Sequence, residues 1–286
     1  MPELPEIEIV KRSLFKMINR AKIIDIKINN ANLRYKLPKN FTYDLVNEKI
    51  LKISRRSKYI IFHFKKKILI SHLGMTGKLL FLKKNNKMFK TSFYYDLNII
   101  HKHNHIYFFL NNGLVLIYND VRRFGFFKLY KNINLNDIPF IKKLGYEPFS
   151  RLFNLKYFKN FVLNKKKNSK NLLMDQTFVS GLGNIYVNEV LFLSKVSPLK
   201  ICSNLKTNEI KSLIKNIKKT LKLSILKGGS SIRDFKNSFG KSGNFQQFFH
   251  VYGKENMNCS RISCKGEIKK IVISGRSSFY CNKCQK

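Results

Sequence analysis

Four of the chain's five cysteines fall within its last 28 residues, as Cys259-x4-Cys264, sixteen residues, then Cys281-x2-Cys284. No other feature restricts the fold as strongly, because each close pair must reach a common point from one tight turn. Four thiolates so spaced close a tetrahedral shell around one Zn²⁺, the frame of a zinc ribbon. Two disulfides are the alternative use of the same residues. The start Met1-Pro2-Glu3 is not a basic and then apolar leader, so we expect an unexported, cytoplasmic chain, where thiols stay reduced and the metal is favoured. The first gap is four residues rather than two, which loosens that turn. Cys202 stands alone and reads as a small buried hydrophobe.

Charge sets the class of partner. The 286 residues hold 56 Lys plus Arg against 16 Asp plus Glu, a formal charge of +40, and both halves are basic. Such a chain seeks polyanions. Basic composition alone does not separate a DNA enzyme from a ribosomal or membrane-surface protein. Ala occurs only at Ala21 and Ala31, Trp is absent, and Lys, Asn, Ile, Phe and Tyr are heavy. That is the bias of AT-rich codons, so part of the lysine content reflects drift. No segment approaches the roughly 20 uncharged apolar residues of a membrane span, and we expect no membrane partner. With 44% hydrophobic residues there is material for a core, and the length allows more than one domain.

Residues 3–19 read as a helix, with Ile7, Val10, Leu14, Met17 and Ile18 on one face, Pro5 in the first turn, and Glu3 and Glu6 suited to the helix dipole. From about 22 to 130 short β-rich runs follow: 23–28, 59–64, 67–71, 106–110, 114–118 and 126–130. Asn112-Gly113 between two of them signals a hairpin. This predicts a sandwich or barrel. Helical periodicity takes over near Gly145 to Pro148, with helices expected over 151–163, 185–193 and 207–227, the last stopped by Gly228-Gly229. The Gly/Ser-rich stretch 228–250 reads as a loop. The expected fold class is α+β multidomain: an N-terminal β-sandwich domain with a leading helix over 1–147, a helical domain over 148–250, and a β-hairpin zinc finger over 251–286.

The first six residues, MPELPE, bring in chemistry. Initiator Met is normally removed before a small residue, which leaves Pro2 with a free secondary amine. An α-amine has a pKa near 8, so about a tenth of it is neutral and nucleophilic at pH 7. Attack by a secondary amine on a sugar C1′ gives a cationic iminium, an electron sink for elimination at the neighbouring carbon. The plain alternative is a Pro that starts a helix.

MPELPE, HLGMTG at 72–77, DVRRFG at 120–125, LMDQTFVSGLGNIYVNE at 173–189 and the terminal GRSSFYCNKCQK occur together, in order, across essentially the whole chain. The chain thereby resembles the bacterial formamidopyrimidine-DNA glycosylases, repair enzymes for oxidised purines. The resemblance implies a helix-two-turn-helix in the helical domain, one zinc in the finger, damaged double-stranded DNA as the partner, and a monomer associated with the nucleoid. It implies that Pro2 is a Schiff-base nucleophile, that Glu3 moves protons at the deoxyribose with support from Glu6, and that Lys58 contacts phosphate and assists β-elimination. Arg276 matches an arginine of phosphate binding and δ-elimination, and a guanidinium suits the first task better. Met75, Arg122 and Phe124 match a wedge that fills the void left by an extruded base. Asn184 and Ile185 match a phosphate-holding turn. Lys170, one of Lys165 to Lys167 with Lys166 as our choice, and His103 match DNA contacts. Asn104 stands where the family has Asp, and Lys83 to His101 looks like an insertion.

The reaction expected on this resemblance is excision of 8-oxoguanine and formamidopyrimidines followed by β,δ-elimination. Two alternatives stand beside it. One is an endonuclease VIII-like glycosylase for oxidised pyrimidines, which opens with Pro-Glu-Gly-Pro and lacks the Met and Arg-Arg-Phe wedge, so Leu4, Met75 and Phe124 argue against it. The other is a non-catalytic nucleic-acid binder, which needs no free N-terminal Pro.

Overall fold

The structure, a computed structural model, describes residues 2–83, 88–90, 101–230 and 245–286. Met1, most of the apparent insertion between Lys83 and His101, and most of the Gly/Ser-rich stretch (231–244) lie outside the described residues. The chain forms two compact units, one of Met1–Lys142 with Ile225–Gln246, the other of Lys143–Ser224 with Gln247–Lys286.

The first unit opens with helix α1, Leu4–Ile18, its first turn set by Pro5 and by a reciprocal capping box between Glu3 and Glu6. Leu4, Ile7, Val10, Leu14 and Ile18 bury its apolar face. Then come β1 (Ile23–Ile28), α2 (Phe41–Leu45), β2 (Lys52–Arg56), β3 (Tyr59–His63), β4 (Lys67–His72), β5 (Lys78–Lys83), β6 (Met88–Lys90), β7 (Asn104–Leu110), β8 (Leu114–Asn119), β9 (Phe126–Lys131) and a short α3 (Pro139–Lys142). They make a five-stranded sheet in the order β1-β7-β8-β5-β6 and a four-stranded sheet in the order β2-β3-β4-β9, with every pairing antiparallel. This is the expected two-sheet domain. Gly113, at φ +77°, turns the expected hairpin between β7 and β8. Strand β2 escaped the sequence reading because Lys-Ile-Ser-Arg-Arg offers one apolar residue to the core, as befits an edge strand.

The core of this unit is aromatic at its centre. Phe41 of α2 is fully buried and meets Phe108 and Phe127 edge-on, with ring centroids 6.2 and 6.4 Å away, while Tyr118 meets Phe127 at 4.9 Å. Edge-to-face pairs of this kind add to the burial energy of each ring.

The second unit contains α4 (Leu155–Val162), α5 (Ser169–Met174), α6 (Asn184–Leu193) and most of α7 (Thr207–Leu226). Asn154 and Asn168 cap α4 and α5 by accepting hydrogen bonds from Tyr157 N and Asn171 N. The Asn154 cap starts α4 four residues later than the periodicity suggests. Helix α6 is buried from Ile185 to Phe192. Gly228 and Gly229, at φ +80° and +81°, follow α7 as its sequence predicts. The finger is the hairpin of β10 (Ile268–Ile273) and β11 (Arg276–Cys281), turned by Ser274 and Gly275 at φ +47° and +71°. Two consecutive left-handed residues match the twist of the flanking strands and put Arg276 beside the hairpin tip. Phe192 of α6 packs with Val251, Ile268 and Phe279, joining finger to helix.

Phe41→Ala is expected to cost about 3–5 kcal/mol, the range for emptying a fully buried aromatic site. Denaturant unfolding that shows a cost below about 1 kcal/mol would contradict this placement of the core.

Candidate active site and zinc centre

At the head of α1 Pro2, Glu3 and Glu6 are all buried. Glu6 Oε2 accepts from Glu3 N at 2.9 Å, and its Oε1 accepts from Ser230 N at 2.9 Å and Ser230 Oγ at 3.0 Å. Glu6 thus fixes the backbone of Glu3 and ties in the segment after α7. Lys58, 7% exposed, follows Ser57 in the two-residue turn between β2 and β3, where Ser57 has φ +56°. Arg55 pins that turn, donating from Nη1 to Ser57 O and from Nε to Glu8 Oε2 of α1, both at 3.0 Å. Burial pushes the Glu8 carboxyl up, but hydrogen bonds from Arg12 and Arg55 outweigh it and hold its pKa below the usual value.

His72 lies opposite Tyr59 in the β3–β4 pair. Burial, with the positive charges of Lys58 and Arg34 beside it, lowers its pKa to about 4. The imidazole is neutral at pH 7. Its Nδ1 accepts from Gly74 N at 3.1 Å, so the proton sits on Nε2.

Met75, Arg122 and Phe124 come from two loops and meet. The Arg122 guanidinium lies 4.3 Å from the Phe124 ring centroid, and its Nη1 is 3.2 Å from Met75 Sδ. Met75 and Phe124 are 40% and 43% exposed, so both side chains reach solvent on either side of the Arg122 guanidinium. His103 is half-buried at the end of a single helical turn, His101–His103. Asn104 is buried in a side-chain pair with Asn119 at 2.8 Å and also donates to the Tyr107 hydroxyl at 3.0 Å.

In the second unit three further candidates converge on the finger hairpin. Lys170 is 1% exposed and donates to Ser277 O at 2.8 Å and Ser278 Oγ at 2.6 Å. Burial first, and the nearby Arg276 second, lower its pKa to about 8. Asn184, the first residue of α6, donates to the same Ser277 carbonyl at 3.0 Å, while Ile185 is buried behind it. Arg276 itself is exposed. Gln176 braces the turn before α6, accepting from Gly181 N and donating to the carbonyls of Met174 and Leu182. Among the neighbouring lysines, Lys165 stacks on Phe161 at 4.4 Å and Lys167 pairs with Asp175 at 2.8 Å, whereas Lys166 is exposed. Cys202 is buried and its thiol faces Lys165 O, as a small hydrophobe would be.

The four finger cysteines come together without disulfides, all Sγ atoms within 4.8 Å of one another. Zn–S bonds of about 2.3 Å in a tetrahedron place sulfurs about 3.8 Å apart. The Cys259–Cys284 and Cys264–Cys281 separations are 3.9 and 3.6 Å, which fits the ion. Without a cation these thiols cannot all ionise: burial and the neighbouring Cys281 sulfur push Cys284 up to about 12. One structural Zn²⁺, held by Cys259, Cys264, Cys281 and Cys284, satisfies the set.

Three residues escaped the sequence reading. The sequence reading assigns no role to Arg55, and Asp120 and His72 enter it only as members of the motifs DVRRFG and HLGMTG. Arg55 is tied to Glu8 and Asp120 to Thr76, partners 47 and 44 residues away that local patterning does not reveal.

Comparison with known proteins identifies the parts of the chain. Residues 1–127 match the formamidopyrimidine-DNA glycosylase N-terminal domain, residues 144–236 its H2TH domain, and residues 259–286 the zinc finger found in FPG and IleRS. These three parts define a zinc-finger, helix-two-turn-helix DNA glycosylase. The chain is 41% identical over 297 residues to a formamidopyrimidine-DNA glycosylase of Bartonella tribocorum, covering 100% of both. It is also 41% identical over 286 residues to that of Rickettsia massiliae, covering 100% of this chain and 97% of the relative. Among solved structures, a point mutant of the Lactococcus lactis FPG in complex with Fapy-dG DNA superposes with a TM-score of 0.86 at 36% identity, covering 100% of each chain. The same protein non-covalently bound to abasic-site DNA gives 0.83 at 35%, covering 99% of each chain. Its complex with oxidised-pyrimidine DNA gives 0.85 at 36%, covering 100% of each chain. The chain belongs to the formamidopyrimidine-DNA glycosylase family, whose activity is that of a DNA glycosylase and abasic-site lyase.

Two outcomes follow for stability. Chelation, or Cys284→Ser, is expected to release the single zinc and strip amide-exchange protection from β10 and β11 while β3 and β7 keep theirs. Purified, reduced protein without zinc would refute the centre. For His72 the unfolded chain takes up a proton near pH 6.5 and the folded one near 4, so the unfolded state binds more protons between them and stability falls as pH falls. His72→Gln should therefore lose less stability than the parent between pH 7 and 4, by up to about 3 kcal/mol, in parallel urea titrations. Identical pH profiles would remove His72 from the acid response.

Proposed function

We propose that this chain excises oxidised purines, 8-oxoguanine and formamidopyrimidines, from duplex DNA and then nicks the abasic strand. The observation that carries this reading is the exposed cluster of Met75, Arg122 and Phe124, apolar and planar groups held outside the core where they can replace an extruded base. Arg122 then has donors for the base left opposite. The complexes of the Lactococcus lactis relative with Fapy-dG and abasic-site DNA support damaged duplex DNA as the partner.

In this reading Met1 is removed and the Pro2 nitrogen bonds to deoxyribose C1′ as the bond from C1′ to the base breaks, the base leaving with a proton. Glu3 protonates the ring oxygen as the sugar opens to the iminium. Loss of a C2′ proton then expels the 3′ phosphate, and loss of a C4′ proton expels the 5′ phosphate. Glu6 keeps Glu3 in register through the capping box. Lys58 and Arg276 bind the phosphates flanking the lesion, and Lys166, His103 and Asn184 hold more of the backbone. Lys170 acts one step back, through the Ser277–Ser278 segment beside Arg276. Oxidised pyrimidines are a second substrate class, favoured by the Lactococcus lactis complex with such DNA. The enzyme works as a monomer on the nucleoid, divided as 1–147, 148–250 and 251–286. No helix among the described residues is long and apolar enough to cross a membrane.

A form that retains Met1 is expected to lose base release by at least a hundredfold, because the nucleophilic nitrogen becomes an amide. Borohydride should trap the processed enzyme on abasic DNA in a covalent adduct and leave the Met1-retaining form free. Trapping of neither form would favour a non-catalytic binder.

A further inference from the structure

Asp120 is fully buried, yet both carboxylate oxygens are taken up by the two loops that carry the wedge. Oδ1 accepts from Thr76 Oγ1 at 2.5 Å and Arg122 N at 3.3 Å, and Oδ2 accepts from the Tyr118 hydroxyl at 2.8 Å and Gly125 N at 2.9 Å. Its backbone reaches a third segment, the carbonyl accepting from His105 Nε2 at 2.8 Å and the N–H donating to His103 O at 3.0 Å.

Each wedge residue is bracketed by these contacts. Met75 sits between Thr76, bonded to the carboxylate, and Gly74, whose φ of +61° brings it against the Phe124 backbone so closely that a Cβ there would collide. Arg122 is held through its own N–H, which Thr76 Oγ1 also accepts at 3.1 Å. Phe124 lies between Arg123, at φ +54°, and Gly125, whose N–H is bound to Oδ2 and whose missing Cβ leaves room for the Tyr118 hydroxyl. A loop with a left-handed non-glycine residue is held in place by such fixed hydrogen bonds rather than by local preference.

We propose that Asp120 is the positioning residue of the wedge: its carboxylate locks the loops 72–77 and 120–125 together before DNA arrives, so that Met75, Arg122 and Phe124 enter the duplex as one preformed unit. The proposal rests on the wedge reading above. Two backbone N–H donors, of Arg122 and Gly125, face different oxygens of the carboxylate. An Asn in its place must point its amide nitrogen at one of them and break one bracket, whichever way it turns. An ionised Asp is the side chain that satisfies both.

The test is a double-mutant cycle between Asp120→Asn and Phe124→Ala, read by single-turnover excision of 8-oxoguanine from duplex and by borohydride trapping on a preformed abasic site in a single strand. A 2-aminopurine beside the lesion reports unstacking. Asp120→Asn is expected to slow unstacking and excision together by tenfold or more and to change trapping less than twofold. In the Phe124→Ala background the same substitution should add less than twofold, because the group it positions is gone. An added tenfold loss there, or excision slowed with unstacking unchanged, overturns the positioning role while leaving the wedge intact. Phe124→Ala with undiminished excision overturns the wedge reading and the proposal with it. If Asp120→Asn does not fold, Thr76→Val removes one donor and leaves Tyr118 and Gly125 in place. It should slow excision about threefold, leave trapping unchanged and have no effect on top of Phe124→Ala, and any other pattern overturns the proposal.

Discussion

A chain with a net charge of +40 repels itself, and its 16 acidic residues are where that repulsion is answered. Among the described residues, Glu3, Glu6, Asp44, Asp120 and Glu189 are buried. Glu6 joins the head of α1 to Ser230, Glu8 joins α1 to Arg55 of β2, and Asp44 pairs with Lys131 at 2.6 Å. Asp120 joins loops 72–77 and 120–125. In the second unit Glu189, 1% exposed, accepts from the backbone N–H groups of His250, Val251 and Tyr252, and so fixes the strap that leads into the finger. A buried carboxylate is tolerated when several donors face it, and here some of those donors come from segments distant in the chain: Ser230 for Glu6, Thr76 for Asp120, and His250 to Tyr252 for Glu189.

What the sequence discloses is periodic or local. The apolar stripe of α1 and that of α7, the Asn112-Gly113 turn and the cysteine spacing each depend on neighbours a few residues away, and each appears in the structure where its pattern puts it. The candidate site is legible only through its resemblance to a family, and then only as residue names. That Lys170 is buried against Ser277 and Ser278, more than a hundred residues on, leaves no trace in local periodicity. Asp120 enters the sequence reading only as a member of DVRRFG, and its bond to Thr76, 44 residues back, leaves no trace in local periodicity either. Helix α5 is six residues long, too short to show a face, and is held by the Asn168 cap and by the burial of Leu172 and Leu173.

The two units solve the problem of holding exposed functional groups in different ways. In the first, loops 72–77 and 120–125 are irregular and are held by the Asp120 carboxylate and by glycines at points of close approach. In the second, Arg276 stands on a regular two-residue hairpin, and the hairpin is fixed from behind: Asn188 Oδ1 accepts from Phe279 N at 2.7 Å, Asn184 and Lys170 share the Ser277 carbonyl, and Gln285 joins Cys281 N to Val196 O. The finger is therefore continuous with α6 through hydrogen bonds as well as through the apolar cluster around Phe192. A metal that closes Cys259 and Cys264 onto Cys281 and Cys284 completes a frame whose other side is already built.

This division bears on how much of the positive charge is available to DNA. Lys170 is buried against the finger, Lys67 and Lys131 are tied to Glu48 and Asp44, Lys200 to Glu209, and Arg55 to Glu8. Arg261 lies over Phe192 and donates to its carbonyl at 2.7 Å. These cations are structural, and counterion release on binding counts only those that reach phosphate. Lysines along the exposed side of α7, such as Lys211, Lys215 and Lys222, have no ion pair among the described residues, in keeping with a composition swollen by codon bias. The number of phosphates neutralised must then be well below the formal charge, and the salt dependence of binding measures the footprint of the interface rather than the basicity of the chain.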